Sequence, residues 1–60
     1  MNSNLPQDPI MLMSFINMKL RDEYSSLESL CKALDIDKNE LESTLAKSGF
    51  EYNQEENKFW

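Results

Sequence analysis

The stretch from Ser26 to Leu45, SLESLCKALDIDKNELESTL, constrains the fold more than any other part of the chain. Leu27, Leu30, Cys31 and Leu34 recur at the spacing that gathers side chains on one helix face. Ser25 or Ser26 can cap the start of that helix by accepting from a free amide of the first turn. With Ser25 as the cap, Glu28 completes a capping box. Asp35-Ile36-Asp37 then breaks the pattern, and aspartate is one of the few side chains that tolerates a left-handed backbone. Asp37 is the natural cap of a second helix, with Glu40 at the matching box position and Ile36 and Leu41 placed for a hydrophobic staple. Leu41, Leu45 and Ser48 give that helix a narrow inner face. Gly49 is expected to close it in the left-handed conformation. Two caps, a staple and a stop agree with one another, which is the strongest kind of local evidence.

The segments on either side extend the pattern. Asp8-Pro9 starts an earlier helix, because proline at the first helical position forfeits no hydrogen bond. This helix should run to about Asp22 or Tyr24. Its apolar residues are Ile10, Met11, Leu12, Met13, Phe15, Ile16, Met18 and Leu20, more than one stripe can hold. Leu12, Phe15, Ile16 and Leu20 suit a core, whereas Met11 and Met18 share another face with Phe15. After Gly49 the period changes to alternation. Phe50 and Tyr52 point one way, Glu51 and Asn53 the other. Gln54-Glu55-Glu56-Asn57 is a polar turn. Pairing Asn53 with Lys58 sets Tyr52 opposite Phe59 as an aromatic cross-strand pair, with Glu51 and Trp60 on the other face. The expected fold is therefore mainly α. It is a three-helix bundle containing a helix-turn-helix, followed by a short C-terminal β-hairpin in a winged-helix-like arrangement. Residues 1–7 are expected to form a flexible tail and residues 8–60 a single domain.

The central spacing resembles the helix-turn-helix of many bacterial regulators, with Leu27, Leu30, Cys31, Leu34, Ile36, Leu41 and Leu45 in the apolar slots. It departs at Asp35, where glycine is usual, and at Cys31, where alanine is usual. The whole chain also resembles a family of very short bacterial proteins known only as a domain of unknown function. That resemblance rests on Asp8-Pro9, Asn17, Lys19-Leu20-Arg21-Asp22 and Gly49-Phe50-Glu51-Tyr52. It implies one domain and brings no activity, cofactor or catalytic residue with it.

Composition narrows the chemistry. Sixty residues suffice for one small core, supplying only ~3–5 kcal/mol of net stability. The net charge is −5, whereas a free nucleic-acid binder usually carries a basic face. One cysteine and no histidine exclude an internal disulfide and a zinc site built on Cys and His. Cys31 falls on an inward helix face and reads as a small buried hydrophobe. No leader of the secretory type is visible, and the uncharged run from Pro9 to Met18 is too short to span a bilayer. A reducing, cytoplasmic compartment is the default expectation, without membrane attachment.

Asp35, Asp37 and Asn39 imitate the opening of a calcium loop, but Glu40 stands where glycine is needed and Ala46 where the last ligand belongs. Capping explains the aspartates better, and no metal or other cofactor is expected. Carboxylate pairs such as Asp22 with Glu23 or Glu55 with Glu56 lie in solvated turns, where acidity stays ordinary. A lone glycine cannot build a phosphate-cradling loop. Catalysis is the least supported class, and the chain reads as a non-enzyme. Two binding classes remain. As an interaction module the chain would meet an unidentified protein partner or form a homodimer through its apolar first helix and hairpin, with Met11, Met18 and Trp60 at the contact. As a DNA-binding regulator it would use the helix over 38–48, with Asn39 and Ser43 reading bases and Lys38 and Lys47 meeting phosphates. Glu42 in the middle of that face, and Glu55-Glu56 at the hairpin tip, oppose the second reading through their charge.

Overall fold

Asp8 and Pro9 open the first helix as their chemistry dictates. In the computed structural model, which describes residues 5–60, the Asp8 carboxylate accepts from the Met11 amide at 3.1 Å, and α1 runs Pro9–Asp22. Helix α2 spans Leu27–Leu34 and α3 spans Lys38–Ala46. A hairpin of β1 (Tyr52–Asn53) and β2 (Lys58–Phe59) follows. The strands are antiparallel, with Tyr52 opposite Phe59 and Asn53 opposite Lys58. The fold is thus three helices and a two-stranded hairpin, mainly helical, in the register expected from the alternation.

The ends of α2 and α3 share one device. Asp35 adopts φ 56° and ψ 50°, and the Ile36 amide reaches back to the Cys31 carbonyl at 2.9 Å. Gly49 adopts φ 86°, and the Phe50 amide reaches back to the Leu45 carbonyl at 3.0 Å. Each is a Schellman-type ending, in which a left-handed residue turns the chain and the next residue folds an apolar side chain onto the helix it leaves. Ile36 is buried accordingly, and Phe50 packs against the core. The start of α2 settles the cap in favour of Ser26, whose Oγ accepts from the Ser29 amide at 3.1 Å. The box with Glu28 is therefore absent, because Ser29 occupies the third helical position. Asp37 caps α3 by accepting from the Glu40 amide at 3.1 Å. Asp37→Ala is expected to cost ~1 kcal/mol, read as a lower urea midpoint at unchanged slope. An unmoved midpoint would remove the cap from the account.

The core is formed by Leu12, Ile16 and Leu20 of α1, Leu27, Leu30 and Cys31 of α2, Leu41 and Leu45 of α3, together with Ile36 and Phe59. Two expectations are corrected here. Ser48 is exposed and lies in the turn beyond α3, because the helix has already reached its final turn at Ala46. Phe15, expected to line the core, packs against it half-buried at its margin. Leu5, read as part of a loose tail, packs into the core; residues 1–4 of that tail lie outside the described residues. Among the described residues no helix is long and apolar enough to cross a membrane.

Candidate functional site

Helix α1 is the element with surface to spare. Its inner face buries Leu12, Ile16 and Leu20. Met11 and Met18, one heptad apart and so nearly in line along a helix, remain 62% and 43% exposed. Ile10 is 61% exposed and belongs to the same surplus, although the sequence singled out only its neighbours. The run PIMLMSFINM carries no charge at all. Charges appear only at the end of the helix, and there they are paired. Lys19 meets Glu23 at 2.7 Å and Arg21 meets Asp22 at 2.9 Å. The hydrogen bond from Arg21 holds the Asp22 carboxyl below its usual range, contrary to the ordinary acidity expected of it, and the bond to Glu23 raises Lys19. Lys19 also lies over the Phe15 ring, 5.7 Å from its centroid, covering part of that side chain.

Trp60 is the exposed aromatic among the described residues, at 58%. It stands on the hairpin beside Glu51, with which it exchanges backbone bonds of 3.1 and 3.0 Å. The Lys58 ammonium sits 5.1 Å from its ring centroid. All three residues expected at a protein contact are thus on the surface. Met11 and Met18 share a helix face, and Trp60 occupies the hairpin.

The face expected to meet nucleic acid is divided differently. Asn39 and Ser43 line one groove between α3 and the hairpin, together with Glu42, Glu51, Phe50 and Tyr52. Lys38 stands between two carboxylates, 3.8 Å from Glu28 and 3.9 Å from Glu42. Lys47 follows the last helical residue and does not line the groove. The four residues therefore form no concentrated positive surface. Cys31 is 5% exposed. Burial pushes its thiol up, Lys38 draws it down, and Glu42 and Asp37 push it up again. The thiolate needed for nucleophilic chemistry is disfavoured there.

Sequence reasoning did not assign the two asparagines that hold the hairpin in place. The Asn17 side chain donates to the Phe59 carbonyl at 2.9 Å and accepts from the Phe59 amide at 2.7 Å. One carboxamide thereby stands in for the peptide group of a neighbouring strand and satisfies the outer edge of β2. Asn57, at φ 52°, donates to the Leu20 and Tyr24 carbonyls at 3.2 and 3.0 Å and accepts from the Tyr52 hydroxyl at 2.6 Å. It closes the C-terminal end of α1 and fixes the hairpin turn in one stroke. The available signals were a lone carboxamide inside an apolar helix run, and an asparagine as the last residue of the polar turn. Asn57→Ala is expected to cost ~2–3 kcal/mol, combining lost bonds with left-handed strain. Asn57→Gly keeps the backbone and loses only the bonds, so its thermal midpoint should fall between alanine and wild type. Equal midpoints for the two variants would exclude the strain.

Comparison with known proteins places these features in a family. Residues 6–59 match the family model described as Domain of unknown function (DUF4250), and the chain belongs to that family. No curated protein and no solved structure matches the chain.

Proposed function

We propose that this member of the DUF4250 family is a small, non-enzymatic interaction module of the winged helix-turn-helix type, bacterial in origin, that meets another protein or a second copy of itself through α1 and the hairpin. The observation that carries this reading is the outer face of α1. Ile10, Met11 and Met18, with Trp60, leave four large apolar side chains in solvent. A chain with so small a core has every reason to bury such residues, and methionine and tryptophan are favoured at interface centres. The nearest alternative is a DNA-binding regulator built on α3. Against it stand the two carboxylates around Lys38 and a net charge of −5, since both oppose approach to phosphates.

Analytical gel filtration of the wild type beside Met11→Gln/Met18→Gln and Trp60→Ser tests the reading. The wild type should elute earlier as concentration rises. The polar variants should elute as monomers with unchanged thermal midpoints, because neither site belongs to the core. A wild type that stays monomeric throughout gives the face to a different protein. Polar variants that elute like the wild type at every concentration remove these residues from the contact.

A further inference from the structure

We propose that the groove between α3 and β1 takes a short, extended, basic segment of another protein, laid along β1 as an added strand. This is a second surface, separate from the outer face of α1. It starts from the hydrogen-bond pattern of the hairpin. Glu51 and Trp60 exchange two backbone bonds, so the next pair, Tyr52 and Phe59, directs its amides and carbonyls away from each other. The groups on Phe59 are answered by Asn17. Those on Tyr52, at the opposite edge, meet no partner among the described residues. Among the described residues, one edge of the hairpin is closed by a side chain and the other is unpaired.

The walls beside the open edge specify the occupant. Phe50 and Tyr52, above the buried Phe59, supply an aromatic floor, and among the described residues that line the groove only Glu42 and Glu51 are charged. At the other end of Tyr52 an adjoining recess is lined by Glu28 and Lys38, and Lys38 is already shared between Glu28 and Glu42. Three carboxylates against one lysine leave the edge negative. An extended peptide alternates its side chains between two sides. Apolar residues would settle on the rings while lysines or arginines between them meet the carboxylates. Backbone bonds to Tyr52 would add affinity, as in other strand-addition complexes. A phosphate backbone has no comparable fit, because the groove repels it.

The test uses the whole chain, labelled with nitrogen-15, and the acetylated and amidated peptide Lys-Val-Lys-Val-Lys as probe at low salt. Its glutamate counterpart, Glu-Val-Glu-Val-Glu, is the control. The basic peptide should shift the amides of Asn39, Ser43, Glu51 and Tyr52 saturably, and the acidic peptide should not. Glu42→Gln combined with Glu51→Gln should weaken binding roughly fivefold without lowering the thermal midpoint. Met11→Gln/Met18→Gln should leave it unchanged, which separates this groove from the α1 surface. Absence of a saturable shift, an equal response to the acidic peptide, shifts confined to α1, or saturable shifts of the same groove amides by duplex DNA alone would each overturn the proposal.

Discussion

Phe59→Ala is expected to leave most of the chain unfolded at room temperature. Phe59 is 1% exposed and the largest of the fully buried side chains. It is also the hairpin's one fully buried anchor in the core, with its ring 5.4 Å from that of Tyr52. Truncating a buried phenylalanine costs ~3–5 kcal/mol, part of it from the cavity left behind. A domain of this size has about that much net stability in total. Far-ultraviolet circular dichroism should therefore show a large loss of helix, although the substitution lies in a strand. Helix α1 depends on the hairpin to cover its flank, so the two elements fail together. A variant that melts cooperatively within a few degrees of the wild type would mean that the hairpin is an ornament on an independent bundle.

Asn17→Leu isolates the second half of that anchor. Leucine has the same branched outline and number of side-chain heavy atoms as asparagine, though it is bulkier, and it is the better helix former, so propensity alone predicts little harm. The Phe59 amide and carbonyl, however, would both lose their partner in a partly buried setting. Each such unmet group costs ~1–3 kcal/mol, so ~2–6 kcal/mol is expected in total. The urea midpoint should fall, and the Phe59 amide should lose most of its protection from hydrogen exchange. Asn17→Asp makes the contrast. It keeps the acceptor for the Phe59 amide but sets a carboxylate against the Phe59 carbonyl, so it should be no milder than leucine. If leucine left both the midpoint and the protection intact, water would be replacing the carboxamide.

The regular parts of this fold were legible because they obey local rules. Asp8, Asp37, Asp35 and Gly49 announce where helices begin and end through the chemistry of their own side chains or backbones. The alternation from Phe50 onward fixed the hairpin register down to the Tyr52–Phe59 pair. What the sequence concealed depends on distant partners. Asn17 and Asn57 act across 42 and 37 residues, and no spacing rule couples a helix carboxamide to a strand backbone. The choice of Ser26 over Ser25 was hidden because both satisfy the same local chemistry. Leu5 was hidden because one apolar residue in a polar segment has no period to read. For the surfaces, the seven-residue spacing set Met11 and Met18 on one face, and they stay in solvent because Leu12, Ile16 and Leu20 fill the inner face. The pairing of Lys38 with Glu28 was out of reach because it joins two helices across a turn.

On the proposed function, α1, and not the outer face of α3, is the contact surface. Sedimentation velocity over a concentration series, repeated with excess mixed duplex DNA at low salt, tests it most directly. The sedimentation coefficient should rise with protein concentration, should not respond to DNA, and should stay flat for Met11→Gln/Met18→Gln. A DNA-dependent shift that vanishes with added salt and with Lys38→Ala/Lys47→Ala, in a chain that does not otherwise associate, would contradict the claim and give the function to α3.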